Sequence, residues 1–211
     1  MAIDDLLDEH EQSVRVQKWL RENGSAIVLG LTFGLCLLGG WSWYQGHQVN
    51  KGKESADQFT AAETAISTNA ADAGAKVNAI EDDNYRALAQ LALAKSQVTA
   101  GKTADAIATL KSVDVKEAAL RELVDVRLAR LQTEAGAAKD AIALLNGRST
   151  AEALEALGDA YVASNDLNAA RKAYRDSLAK MDAAAASRQL VELKLTQAGG
   201  TPVVKTETKA Q

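Results

Sequence analysis

Leu154-Glu155-Ala156-Leu157-Gly158-Asp159-Ala160-Tyr161-Val162-Ala163-Ser164-Asn165-Asp166-Leu167-Asn168-Ala169-Ala170-Arg171-Lys172-Ala173-Tyr174 reads as two helices joined by a tight turn. Asn165 sits where the first helix must end, and asparagine tolerates the left-handed conformation that a helix C-terminus often needs. Gly158 on the first helix faces Ala170 on the second. Two small residues let the helices cross closely, while Tyr174 fills the space further along. The unit is a helical hairpin.

The same spacing recurs upstream. Leu93-Ala94 is followed by Gly101, Ala106 and Leu110, and Leu128-Ala129 is followed at identical offsets by Gly136, Ala141 and Leu145. Repetition of one spacing rule is the signature of a stacked array of supersecondary units. Leu154-x2-Leu157-Gly158-x2-Tyr161 with Ala170-x3-Tyr174 resembles the tetratricopeptide repeat pattern, departing from it at Leu154, where Trp is usual, and at Asp182, where Pro is usual. The earlier copies are more degenerate, with Gln97 and Gln132 at the position of Tyr161. The third copy follows early because Asn146-Gly147 ends a helix. Flanking segments fit the array. Gln48 to Ile66 reads as a helix, Lys76 to Ile80 as a short partner closing a degenerate first hairpin, and Ala183 to Gln197 as a terminal capping helix. Such a helix covers the last apolar face of an array.

Composition agrees with helix throughout. The 211 residues include 42 alanines against a single proline, with 4% aromatic residues. Alanine is the strongest helix former and proline the weakest. The net charge of −4 gives no bulk electrostatic drive toward nucleic acid. One cysteine, Cys36, excludes an intramolecular disulfide and a cysteine-based zinc cluster.

Between Glu22 and Lys51 the chain carries no Asp, Glu, Lys or Arg. The apolar core of that interval, Ser25 to Tyr44, spans roughly 30 Å as a helix, the thickness of a bilayer's hydrocarbon core. Trp41, Trp43 and Tyr44 cluster at one end, where amphipathic rings sit at the headgroup level. The run ends in Trp-Ser-Trp-Tyr-Gln rather than small residues at a cleavage site, so an uncleaved anchor is expected rather than a signal peptide. Arg15, Lys18 and Arg21 precede the span against Lys51 and Lys53 after it, which favours a cytoplasmic N-terminus. Gly30 and Gly34 would let a second membrane helix approach closely.

A search for chemistry finds little. Gly101-Lys102-Thr103 resembles the end of a phosphate-binding loop, but Ser96 stands where that loop needs glycine. Asp82-Asp83 reads as a helix-start or loop charge rather than a metal site. No catalytic, cofactor or metal residues are assigned, and the chain is expected not to be an enzyme. Helical arrays instead offer a concave surface to partner proteins. The register places Leu88, Leu91, Lys95, Leu123, Val126, Arg130, Glu152, Glu155 and Asp159 on the groove side of the first helices, running from apolar and basic to acidic.

The segments Trp19-Leu20-x-Glu22-Asn23-Gly24, Gly39-Gly40-Trp41-x-x-Tyr44 and His47-Gln48-Val49 bracket the span. In these and in its plan, the chain resembles the YfgM-like family of ancillary Sec-translocon subunits over roughly residues 10 to 197. The resemblance implies a Gram-negative inner-membrane protein whose periplasmic repeat domain associates with the SecYEG translocon and a PpiD-like periplasmic chaperone. It also implies help in handing over exported polypeptides, and for some members a link to a stress-response regulator. The expectation is therefore an all-α protein, a single N-terminal transmembrane helix followed by a TPR-like helical-hairpin solenoid. Its segments are a cytoplasmic stretch over 1–22, a span in contact with membrane lipid over 23–45, a periplasmic domain over 46–198 and a disordered tail over 199–211.

Overall fold

The computed structural model describes residues 2–201, with side chains from Ser13 onward except at Gly46 and Gln48. Every regular element among them is a helix: α1 (Ala2–Ser67), α2 (Ala73–Asn78), α3 (Asp83–Thr99), α4 (Thr103–Lys111), α5 (Ala118–Glu134), α6 (Ala138–Leu145), α7 (Ala151–Ala163), α8 (Leu167–Lys180) and α9 (Arg188–Gln197). The chain divides into two compact units, Met1–Glu54 and Ser55–Gln211.

The first unit is helix throughout its described residues. The glycine pair Gly39-Gly40 leaves the helix unbroken. Its apolar side chains are exposed, as a lipid-facing helix requires, and it is the one helix among the described residues long and apolar enough to cross a membrane. Two of its polar side chains bond back to the helix itself: the Thr32 hydroxyl donates to the Val28 carbonyl at 2.8 Å and the Asn23 amide to that of Trp19 at 2.9 Å. At the aromatic end Trp43 stacks on His47 one turn later, ring centroids 5.8 Å apart.

The second unit is a run of hairpins, and the turns show why. Asn69, Gly101, Gly136, Asn165 and Gly199 all have positive φ, between 51° and 80°. At Gly101 the amide donates to the Val98 carbonyl and the next amide, of Lys102, to Gln97 at 2.8 Å. The same pair of bonds closes the helices before Gly136 and Asn165. These are the two bonds of the Schellman motif, which satisfy carbonyls the helix end would otherwise orphan. The helix starts are capped as well. Asp82, Glu117, Thr150 and Asp166 accept from amides of the first turns of α3, α5, α7 and α8. Asp82-Asp83 is thus a helix start.

Four apolar clusters follow one another along this unit, each shared by adjacent elements. The spacing rule is realised at all three copies. Ala94, Ala106 and Leu110, then Ala129, Ala141 and Leu145, then Gly158, Ala170 and Tyr174, are all buried. Each hairpin buries its face only against its neighbours, the physical basis of solenoid stability.

Two flanking helices are displaced from expectation. The short partner helix runs over Ala73–Asn78 rather than 76 to 80, and the capping helix begins at Arg188 rather than Ala183. Asp182 accepts from the Ala184 amide at 2.9 Å, and the Arg188 guanidinium reaches back to the Leu178 carbonyl at 2.9 Å. A local carboxylate turn therefore outcompetes the helix propensity of Ala183 to Ala186. The tail from Pro202 onward lies outside the described residues, whereas Gly199 and Gly200 close the end of α9.

Candidate partner-binding groove

The first helices of the hairpins, α3, α5 and α7, carry the expected groove positions, and the structure separates them. Leu91, Lys95, Leu123 and Arg130 line one cleft of about 480 Å³ between α3 and α5. Leu88 is exposed one turn before Leu91. Val126 is only 5% exposed and belongs to the core shared by α5, α6 and α7. Glu152 is exposed on the first turn of α7.

Glu155 and Asp159 lie in an ion network within the fold. Glu155 is buried and accepts from Lys194 of α9 at 2.7 Å and from Arg130 at 3.4 Å. Asp159 accepts from Lys194 at 2.8 Å and from the Tyr174 hydroxyl at 2.7 Å. Burial pushes against the charge on Lys194, but the hydrogen bonds to Asp159 and Glu155 and their negative charges outweigh it, so its pKa lies above the ordinary lysine value. Burial first, and the Asp159 carboxylate second, push the Tyr174 phenol far up, so it stays a donor. The capping helix thus occupies the acidic end of the groove through one cation. No local spacing could reveal this, because Lys194 is 35 and 39 residues from its two partners.

The basic end is different. Its cleft has an apolar lining from Leu91, Ala94 and Val98 of α3, Leu110 of α4, and Leu123 and Leu131 of α5. Val98 and Leu123 are 37% and 41% exposed. The opening has a cause in the connections. The segment between α4 and α5 buries Val113 and Val115 as a wedge beside Val124 and Leu128, and α3 barely touches α5, whereas α5 packs closely on α7. Arg127, unforeseen from the repeat register, joins Lys95 and Arg130 at the rim. Its position one turn beyond Leu123 was the available signal.

A second buried ion pair supports α5. Asp125 is 4% exposed and pairs with Arg148 just beyond α6. Burial raises its carboxyl above the usual range, the charges of Arg148 and Arg121 opposing. In the span, a Cβ added at Gly30 or Gly34 would meet nothing within 4 Å, so both positions present open helix surface.

A family model described as a tetratricopeptide repeat-like domain matches residues 17–200. The ancillary SecYEG translocon subunit of Escherichia coli (strain K12) is 32% identical over 107 residues, 49% of this chain and 52% of that protein. The match therefore spans about half the length of this curated relative. No solved structure matches.

Proposed function

This chain belongs to the tetratricopeptide repeat-like domain family, and on that premise we propose that it is a membrane-anchored, non-enzymatic interaction module that serves a Sec-type translocon. In this reading residues 23–45 cross the inner membrane once, with 1–22 in the cytoplasm and the hairpin array over 46–198 in the periplasm. The array holds a PpiD-like chaperone close to the channel exit and assists the handover of exported polypeptides. Gly30 and Gly34 offer the span's docking face to another membrane helix. The span confines the array to the membrane surface, raising the effective concentration of partners held there.

One observation carries the proposal: the array keeps an open, partly apolar cleft between α3 and α5 while its acidic end is closed from within. Exposed leucine and valine lie there beside Lys95 and Arg127, neither of which has an ion pair among the described residues. Similarity to an ancillary SecYEG translocon subunit supports the choice of neighbour. Affinity purification of the chain from crosslinked, detergent-solubilised inner membranes tests it. Channel subunits and a periplasmic chaperone should be enriched over an unrelated single-span control. Enrichment of a stress-response regulator without channel subunits would instead make the chain a sequestering anchor.

A further inference from the structure

The last helix of the array ends as the first helix of a hairpin does. At the close of α9 the Gly199 amide donates to the Thr196 carbonyl at 2.9 Å and the Gly200 amide to that of Leu195 at 2.8 Å, the same pair of bonds that ends α3, α5 and α7. In α5 and α7 the residue six places before this turn faces the next first helix: Arg130 reaches Glu155 of α7 at 3.4 Å, and Asp159 reaches Lys194 of α9 at 2.8 Å. In α9 that place is held by Leu193. One place earlier, where Ala94, Ala129 and Gly158 let a second helix cross, stands Glu192, paired with Arg188 at 3.1 Å. The hairpin therefore stops at α9, while its stacking side stays open.

That side is apolar. Leu190 and Leu193 lie one turn apart on α9 and are 50% and 54% exposed, more than any other large apolar side chain described in the second unit. The other exposed residues of α9 are Gln189, Thr196 and Gln197. Among the described residues it is thus the only helix of that unit with no exposed Asp, Glu, Lys or Arg; its own charged residues, Arg188, Glu192 and Lys194, are half-buried in ion pairs. A helix that merely caps an array needs a polar outer face. We infer that α9 packs against α9 of a second copy of this chain across a two-fold axis, Leu190 of each copy against Leu193 of the other. Two observations name the occupant. In a two-fold contact a patch meets itself, so a charge near the axis would stand beside its own copy, and this patch has none. Leu193 also continues the row through which first helices stack, and of Lys95, Arg130, Asp159 and Leu193 in that row it alone is apolar, so the apolar counterpart it needs is its own. About half of two leucine side chains per copy falls well short of the roughly 1,200 Å² that stable dimers bury. Pairing therefore depends on the span, which confines copies to one surface and raises their effective concentration. The inference rests on that anchoring and not on the translocon or the chaperone.

The test uses the full chain, purified and reconstituted into lipid vesicles, with Cys36→Ser removing its one thiol. A short bis-maleimide should join copies carrying Leu190→Cys to copies carrying Leu193→Cys. It should not join copies carrying Leu88→Cys, a site on α3 that is 42% exposed. Energy transfer between donor- and acceptor-labelled copies measures the affinity. Leu190→Glu/Leu193→Glu should raise the surface density at half-maximal transfer at least about tenfold, because carboxylates would then meet across the axis. The melting temperature in detergent should not change, both side chains being exposed. Absence of crosslinks and transfer at every density, or crosslinks at Leu88→Cys as strong as those on α9, would overturn the inference. So would transfer that survives Leu190→Glu/Leu193→Glu and is lost in Gly30→Leu/Gly34→Leu, which would assign pairing to the span. Pairing that appears only once residues 202–211 are removed would overturn it in favour of the chain's own tail as occupant, and quenching of a label at Leu193→Cys by brominated lipid would do so in favour of the bilayer. A monomer that still co-purifies with channel subunits removes this inference alone; a dimer that purifies without them removes only the proposed function.

Discussion

Replacing Gly158 by alanine should destabilise the array although alanine is the better helix former. Gly158 lies inside α7, where glycine costs about 1 kcal/mol relative to alanine, so propensity alone predicts a gain of that size. Packing opposes it. A Cβ built at Gly158 would stand 2.6 Å from Cδ1 and 2.9 Å from Cζ of Tyr174. The ring cannot yield easily, because it is only 2% exposed and its hydroxyl is tied to Asp159 at 2.7 Å. Overpacking of this kind costs about 1–3 kcal/mol, and a pinned ring belongs at the upper end. The net expectation is a loss of about 2 kcal/mol, or roughly 4–8 °C in melting temperature for a domain of this size. Circular dichroism of the detergent-solubilised chain measures it, with Gly74→Ala as control. Gly74 has open space around its Cβ position, so alanine there should stabilise by about 0.5–1 kcal/mol. Adding Tyr174→Leu should cost less in the Gly158→Ala background than in the parent, giving a coupling of at least about 0.5 kcal/mol. If Gly158→Ala melts higher than the parent, as Gly74→Ala should, the close crossing of α7 and α8 is not what fixes glycine at this position.

Other perturbations probe the turns and the buried charges. Gly136→Ala forces an L side chain into the left-handed region at φ 80° and should cost about 1–2 kcal/mol in the same melting assay. Asn165→Gly should change stability by less than about 0.5 kcal/mol, since either residue adopts that conformation. Lys194→Ala leaves the carboxylates of Glu155 and Asp159 without their shared cation, and because both keep some solvent or a second partner the loss should be about 1–3 kcal/mol. Asp125 gives a pH signature. Its folded pKa is raised by burial, so the stability it contributes is fully present below the unfolded value and is lost as pH rises through the folded one. The difference in melting temperature between parent and Asp125→Asn should decline across that window and then level off.

The hairpins were legible because their determinants are local. Gly101, Gly136 and Asn165 announce left-handed caps, and the small residues seven positions before and five after each of them mark the crossings. The span was legible for a similar reason, since an uncharged stretch long enough to cross a bilayer needs no tertiary context to be noticed. What escaped depends on contacts between distant segments or on local competition. The start of the capping helix at Arg188 turned on whether Asp182 would cap a turn or four alanines would extend a helix. The fate of Glu155 and Asp159 turned on Lys194, which enters from a helix two elements away. Arg127 was passed over because the repeat register points to Val126, whose side chain the fold turns into the core.

The claim that everything else serves is that a membrane span holds an open helical array beside the export channel. Photo-crosslinking in living cells measures this most directly, with the reactive side chain placed at Leu31 in the span and at Leu123 in the cleft. Adducts from Leu31 to channel subunits, together with adducts from Leu123 to periplasmic proteins, are the result this account predicts. Adducts from Leu123 to cytosolic proteins, or channel adducts no more abundant than those of an unrelated single-span control, would contradict it.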